Sequence, residues 1–366
     1  MKVLHAADFH LDSPLAGLPA DKSALRRREL RDIPARLARL AREEGVDLVL
    51  LPGDLLDGGR VYPETVRALA AALGEMAVPV FIAPGNHDYF HPGSPYAVNR
   101  WPDNVYIFTQ PELQGVVLPQ LNCTVHGCAF TAPHREDDPL AGFAAPPDGR
   151  LHLLCLHGEL GTAGGYAPID TRSLERSGAA YAALGHIHAG VSGRAGQTLW
   201  AYPGCPEGRG FDELGPKGAL IASVGQPVLD SPASPQGPEA AVRFVPVCKR
   251  QYLVETVEAE RFAHALPQGE RPDLVRLVLT GESRAAPDLA ALAAQAAPRF
   301  FHVELRDRTT LPVELWARAA EDSLTGLFLR EMRARLDGAD GDERDKLLLA
   351  ARFGLAALEG GEDICP

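Results

Sequence analysis

Val78-Pro79-Val80-Phe81-Ile82-Ala83-Pro84-Gly85-Asn86-His87-Asp88 is an apolar run that stops at a glycine and then presents an amide, an imidazole and a carboxylate. So short a run of Val, Phe and Ile suits a strand buried on both faces, the kind that parallel sheets place at their centre. A short loop with three polar groups behind such a strand has little structural reason to exist, so Asn86, His87 and Asp88 are candidates for chemistry. Working outward, the same construction recurs. Upstream, Lys2–Ala7 runs into Asp8-Phe9-His10, and Asp47–Leu51 runs into Gly53-Asp54-Leu55-Leu56-Asp57. Downstream, Leu151–Leu156 ends on His157, and Ala179–Leu184 is followed by Gly185-His186-Ile187-His188.

Helical periodicity lies between the first strands, at Ser23–Glu44 and Pro63–Glu75, with Pro34 expected to start or kink a helix rather than sit inside one. Strands alternating with helices predict an α/β domain. In open α/β sheets ligands bind beyond the strand ends, so these loops would deliver their polar groups to one edge. Imidazole favours transition metals while carboxylates and an amide keep a site hard, a mixture that suits Mn²⁺, Fe²⁺ or Zn²⁺ better than Ca²⁺ or Mg²⁺. Asp8, His10, Asp54, Asn86, His157, His186 and His188 are more ligands than one ion needs. Two ions about 3.5 Å apart are the arrangement that clamps attacking and leaving oxygens in a displacement at phosphorus. An isolated Asp-x-His is usually accidental and Gly-Asp after a strand is often only a turn. Five such motifs in this order are not.

The set Asp-x-His, Gly-Asp, Gly-Asn-His-Asp, His and Gly-His-x-His resembles the signature of the calcineurin-like metallophosphoesterase superfamily, over about the first 200 residues. Longer stretches are similar to the bacterial SbcD-type DNA repair exonucleases and their YhaO-like relatives. They are His10-Leu11-Asp12-Ser13-Pro14-Leu15, Ala183–His188, and Tyr202-Pro203-Gly204-Cys205-Pro206-Glu207-Gly208-Arg209 followed by Glu213 and Lys217-Gly218. The resemblance implies an α/β fold in which a β-sandwich is flanked by helices in four layers, with a small α+β capping domain and C-terminal helices. It implies one ion, expected to be Mn²⁺, on Asp8, His10 and His188, and a second on Asn86, His157 and His186, with Asp54 bridging them. His87 matches the family's catalytic histidine, Asp88 is expected to orient its ring, and metal-activated hydroxide is the implied nucleophile. Arg209, Lys217 and the loop pair His134 and Arg135 are candidate substrate contacts. The resemblance further implies a DNA substrate, a coiled-coil ABC-type ATPase partner of the SbcC/YhaN kind, and a homodimer. Ala189-Gly190-Val191-Ser192 lacks the polar or aromatic residues that come after the last histidine in many SbcD-type chains.

The expected organisation is a phosphoesterase domain over 1–225, a Pro-, Ser- and Gly-rich linker over 226–239, a capping module over 240–308 and a helical segment over 309–366. Within the module, strands are predicted at Ala241–Val247, Gln251–Val257, Leu274–Leu279 and Phe300–Leu305, and a helix at Pro287–Gln295. Helices follow at Val313–Leu336 and Asp342–Leu358, whose apolar positions Leu324, Leu327, Phe328 and Met332 could pack on the protein itself or on a partner. With 46% hydrophobic residues the chain can bury a core. Neither a secretory apolar region nor a membrane-spanning run is present, so a cytoplasmic location is expected. The net charge of −12 argues against coating DNA through a broad basic surface. It is compatible with a nuclease, because carboxylates hold metal ions that then supply positive charge locally.

Six scattered cysteines without paired spacing read mostly as reduced, packed thiols; Cys123 and Cys128 flank His126, where a strand with buried thiols is the expected reading and a metal site the alternative. His5, His91, His126, His134, His152, His264 and His302 read as structural or surface residues. The leading functional expectation is a metal-dependent DNA exonuclease or endonuclease in repair or end processing. Alternatives are a metallophosphoesterase acting on a small phosphodiester, cyclic nucleotide or phosphoprotein, and a scaffold with a degenerate site. The complete ligand set argues against the scaffold.

Overall fold

A computed structural model describes residues 1–15, 17–58, 61–161, 167–225 and 240–359, and the chain divides into two compact units, Met1–Gln251 and Tyr252–Pro366. The first unit begins with β1 (Lys2–His5), α1 (Ala20–Arg31), α2 (Ile33–Glu44), β2 (Leu48–Leu51), α3 (Pro63–Glu75), β3 (Val80–Ile82), α4 (Pro95–Val98) and β4 (Val105–Ile107). It continues with β5 (Gln114–Leu118), β6 (Cys123–Gly127), β7 (Leu151–His157), β8 (Glu159–Leu160), β9 (Pro168–Ile169), α5 (Thr171–Arg176) and β10 (Tyr181–Gly185). β11 (Val191–Ala195), β12 (Thr198–Tyr202), β13 (Gly218–Val224) and β14 (Ala240–Pro246) complete it. Two six-stranded sheets result, in the orders β14-β13-β1-β2-β3-β4 and β11-β12-β10-β7-β6-β5.

Alternation within the strands explains the layering. Side chains of a strand point alternately to its two faces, and here both faces are apolar. Val3, Leu48, Leu50 and Phe81 from the first sheet meet Leu153, Cys155, Tyr181 and Ala183 from the second in one core. Leu4, Val49, Leu51 and Ile82 face the other way and pack with Leu30, Ile33, Leu37, Val66 and Leu69 of α1–α3. Leu154, Leu156, Ala182 and Leu184 similarly face Leu174 of α5. The result is the expected four layers, helix, sheet, sheet, helix. Each wholly buried Leu or Ile contributes roughly 1.5–3 kcal/mol, so the apolar runs decide the layers.

Proline and glycine punctuate the helices. The region Ser23–Glu44, predicted as one periodic stretch, is two helices meeting at Asp32, because Pro34 sits in the first turn of α2, where its missing N–H costs nothing. Gly45 closes α2 in the left-handed conformation at φ 59°. Pro63 starts α3 in the same way.

The strand expected at Ala241–Val247 in the capping module instead pairs antiparallel with β13, from Gly218↔Pro246 to Val224↔Ala240, and closes the edge of the first sheet. An unpaired β13 would leave a row of open backbone donors and acceptors there. The first unit therefore runs to Gln251, and the predicted linker 226–239 lies outside the described residues. The second unit holds β15 (Tyr252–Glu258), α6 (Phe262–Ala265), β16 (Arg271–Thr280), α7 (Leu289–Ala296) and β17 (Phe300–Asp307), a three-stranded parallel sheet with Val275, Leu277, Leu279 and Ala296 in its core. The helix predicted at Val313–Leu336 is broken into α8 (Val313–Ala317) and α9 (Leu324–Leu336), since Ser323 leaves helical geometry and its side chain caps the Gly326 N–H at 3.1 Å. α10 (Gly341–Leu358) packs with α9 through Leu329, Met332, Ala351 and Leu355. Met332 is buried and Phe328 partly so, while Leu324 and Leu327 are exposed.

Candidate metal centre

Beyond the sheet, the loops after β1 and β2 remain zipped together. Asp8 N–H donates to the Gly53 carbonyl at 3.1 Å, His10 N–H to Asp54 at 3.0 Å and Leu11 N–H to Leu55 at 3.0 Å. The geometry is costly for residues with a Cβ: Asp8, His10, Asp54 and His186 all have positive φ, at 57°, 46°, 51° and 106°. Such strain persists only where surrounding contacts over-determine it, and it gathers at functional sites. The loops also need bare backbone. A Cβ on Gly185 would lie 1.9 Å from the Pro52 carbonyl, and one on Gly85 would lie 2.3 Å from Asp54 Oδ1.

These loops bring the predicted side chains together. Asp8 accepts the His186 N–H at 3.0 Å. Asp54 accepts the His87 N–H at 2.9 Å through Oδ1, while its Oδ2 lies 3.5 Å from His157 Nε2 and 3.8 Å from His10 Nε2. The His186 and His157 rings meet edge to face at 5.2 Å.

The outer hydrogen bonds of the imidazoles determine what their inner nitrogens offer. His157 Nδ1–H donates to the Pro52 carbonyl at 2.9 Å, leaving Nε2 as a lone pair that faces Asn86 Oδ1 at 2.9 Å. His188 Nδ1–H donates to Glu213 Oε1 at 2.7 Å and His10 Nδ1–H to Asp57 Oδ1 at 3.4 Å. That leaves His188 Nε2 and His10 Nε2 opposed at 3.2 Å. Two acceptor-on-acceptor contacts on a buried carboxylate are unfavourable for the protein groups alone and favourable around cations. The residues thus fit a pair of divalent metals.

The sequence of residues 1–190 matches the family model for calcineurin-like phosphoesterases. The chain belongs to this family. The family is dinuclear and metal-dependent and hydrolyses phosphoesters, which agrees with the donor set just described. An uncharacterized metallophosphoesterase, YhaO, from Bacillus subtilis (strain 168) is 32% identical over 239 residues, covering 60% of this chain and 57% of that relative. The match therefore spans little more than half of the relative's length. Among solved structures, TT1561 of Thermus thermophilus shares 11% identity with a TM-score of 0.37, over 56% of this chain and 89% of that one.

In this calcineurin-like phosphoesterase, Asp8, His10 and His188 bring one ligand atom each within 4.8 Å of one another, as do Asp8, Asp54 and His157. Burial, then the Asp54 charge, raises Asp8 well above the usual carboxylate range. Burial lowers His10, His157 and His186 to about 4, so these imidazoles are neutral and able to act as ligands near pH 7.

The predicted role of Asp88 is corrected. Its carboxylate turns away from the His87 ring and accepts the backbone N–H groups of Asp54, Leu55, Leu56 and Gly85 at 2.7–3.2 Å, with the Tyr96 hydroxyl at 2.5 Å. Asp88 ties the Gly-Asp loop to the Gly-Asn-His-Asp loop. The carboxylate facing His87 is Asp57, at 3.2 Å from Nδ1, and its hydrogen bond raises the His87 pKa. Hydrogen bonds from His10 and His87 hold Asp57 well below the ordinary carboxylate range.

The candidate substrate contacts separate. Arg209 lies 3.1 Å from His188 Nδ1 and binds Glu213. Lys217 Nζ donates to the His188 carbonyl at 3.2 Å, which braces that backbone instead of presenting a free charge. Arg135 is engaged with Asp137 at 2.8 Å and Cys128 Sγ at 3.3 Å, and His134 is exposed. Cys123 lies in buried β6 as read from the sequence. His126 bonds His152 at 2.9 Å, and His5 bonds the Tyr181 hydroxyl at 2.7 Å, both as structural contacts. Tyr96 was not singled out from sequence, and Asp57 and Glu213 were quoted in matching stretches without a role. Asp57, three residues after Asp54 on the same loop, had a local signal, and Glu213 had one only through the resemblance. Among the described residues no helix is long and apolar enough to cross a membrane.

Proposed function

We propose that this protein is a two-metal phosphodiesterase that cleaves the DNA backbone, as an exonuclease or endonuclease in repair or end processing. The observation that carries the reading is the pair of acceptor-on-acceptor contacts, His10 against His188 and His157 against Asn86, on either side of Asp54. In this reading Asp8, His10 and His188 hold one ion, Asn86, His157 and His186 hold the other, and Asp54 is shared. Mn²⁺ is the proposed metal, with Fe²⁺ and Zn²⁺ compatible with the same donors. Two bound cations would supply Lewis acidity at the phosphoryl oxygens and a nucleophile at neutral pH.

The chain's own groups supply orientation and a proton. Asp57 holds His87 through Nδ1, leaving Nε2–H to protonate the departing oxygen, a contribution of typically 10²- to 10⁴-fold. The His87 side chain is 46% exposed, which leaves room for a polymer to reach it. The DNA assignment draws on the SbcD-like stretches. The proposed partner is a coiled-coil ABC-type ATPase that docks on the C-terminal helices, where Val313, Leu324 and Leu327 are exposed, and that adds basic surface to a chain of net charge −12. A homodimer and a cytoplasmic location belong to the same proposal.

Digestion of an end-labelled DNA duplex with Mn²⁺, beside a His87→Ala variant prepared identically, tests the reading. Cleavage by the wild type that falls at least ~100-fold in the variant, with metal content retained, is the expected result. Hydrolysis of a generic phosphodiester without DNA cleavage would replace DNA by a small phosphodiester, cyclic nucleotide or phosphoprotein. Neither activity with metal bound would return the chain to the scaffold class.

A further inference from the structure

The stretch that ends in Arg209 is anchored with unusual firmness. The buried Glu207 carboxylate takes Arg26 Nη1 at 2.8 Å, Arg36 at 3.0 Å, and the backbone N–H groups of Lys249 and Arg250 at 2.9 and 3.2 Å. Arg26, itself wholly buried, adds a 2.8 Å bond to the Gly208 carbonyl and a 2.7 Å pair with Glu29. The residues just before Arg209 are therefore fixed to α1, α2 and the segment after β14. A network of this kind preorganises whatever side chain comes next.

Arg209 then turns back to the metal centre. Its backbone N–H donates to Glu213 Oε2 at 2.7 Å and its Nη2 to Glu213 Oε1 at 2.8 Å. The same Oε1 takes the His188 Nδ1 proton at 2.7 Å. One carboxylate thus fixes an imidazole and a guanidinium together. The guanidinium is not used up: Nη1 makes no hydrogen bond among the described residues, whereas Nε is buried without a partner, as are those of Arg26, Arg36 and Arg352. Its Nη2 also lies 3.1 Å from Nδ1 of His188, one of the expected metal ligands.

We propose that Arg209 is a phosphate clamp, binding a non-bridging oxygen of the substrate phosphate through its spare Nη1, and that Glu213 positions it together with His188. The planar guanidinium matches phosphate geometry better than an ammonium does. Because Glu213 is shared, phosphate affinity and metal affinity are linked through it, whereas Arg209, a cation beside His188, favours phosphate and does not favour the metal. The inference rests on the phosphoester reading of the site and adds a substrate-contacting residue and its positioning residue.

The test measures inorganic phosphate binding to Mn²⁺-loaded protein by calorimetry, metal affinity by titration, and KM and kcat on bis(p-nitrophenyl) phosphate, for wild type, Arg209→Gln, Arg209→Lys and Glu213→Gln. Arg209→Gln is expected to weaken phosphate binding on the order of 10- to 100-fold and to raise KM to a similar extent, with metal affinity not weakened. Arg209→Lys recovers part of the loss, and Glu213→Gln weakens both metal and phosphate. Phosphate affinity and KM in Arg209→Gln within twofold of wild type would reduce Arg209 to a brace. Glu213→Gln that weakens metal but leaves phosphate binding intact at metal saturation would remove the link. Phosphate binding requires no turnover, so a wild type that binds phosphate through Arg209 but cleaves no phosphoester overturns the functional reading and leaves the clamp.

Discussion

The two units place their charges differently. In Met1–Gln251 the ions go inside: Arg26, Glu29, Glu207, Asp8, Asp54 and Asp88 are all buried. In Tyr252–Pro366 the pairs lie mostly at the surface, such as Arg335 with Glu331 at 3.0 Å and Arg318 with Glu321 at 2.8 Å, Arg352 with Asp307 being an exception. Backbone conformation divides the same way. Among the described residues, every non-glycine residue with positive φ belongs to the first unit. Buried charge is expensive unless each ion is paired and hydrogen-bonded, and left-handed backbone is expensive for any residue with a Cβ. The first unit carries both costs around its centre, and its large apolar layers offset them. The second unit is an ordinary amphipathic assembly in which charge serves the surface.

The most severe way to break that contrast is at Arg26. Removing one partner leaves Glu29 and Glu207 buried without full compensation, which costs about 3–5 kcal/mol. Arg26→Ala is therefore expected to lower the urea midpoint of the first unit steeply. An unchanged midpoint would mean that the network is dispensable and that the anchoring of the Arg209 loop lies elsewhere.

How much of this was legible in sequence depends on the range of the interactions. The five strand ends were legible because an apolar run that stops at polar groups is a local signal, and β2, β7 and β10 lie within a residue or two of their predicted places. β4, three residues with a partly exposed pattern, gives no such signal. β14 was legible as a strand and not as a member of the first sheet, since pairing with β13 is a tertiary fact. Adjacency made Asp88 seem the partner of His87, but neighbouring side chains leave the backbone in different directions. The true neighbour, Asp57, arrives across a zipped pair of loops. Glu213 stands 25 residues from His188, and although the resemblance included it, nothing in its spacing tied it to that histidine.

A milder way to sharpen the contrast uses pH. His5 is wholly buried against the Tyr181 hydroxyl and the Leu184 carbonyl, and burial, opposed by the latter bond, lowers it to about 3. An unfolded histidine titrates near 6.5. Between those values the unfolded chain binds a proton that folded His5 refuses, so stability is full above about pH 6.5 and declines as pH falls toward 3. By pH 5 the loss from His5 alone is about 2 kcal/mol. Urea midpoints at pH 7.5 and 5 should therefore draw closer together in His5→Phe than in wild type; equal slopes would show that His5 charges in place.

The smallest effect belongs to the second unit. Arg335 and Glu331 are four residues apart on α9 with both side chains about 60% exposed. Solvent screens the pair, and holding two long side chains in one geometry costs entropy that offsets the attraction, so such helix pairs contribute about 0.3–0.5 kcal/mol. Arg335→Ala should shift the urea midpoint of this unit by no more than that, and the shift should vanish in 1 M salt, where the Debye length falls to about 3 Å. A loss several times larger, insensitive to salt, would mean that Arg335 is packed and not merely solvated. The second unit would then share the burden of fixed charge that the comparison assigns to the first.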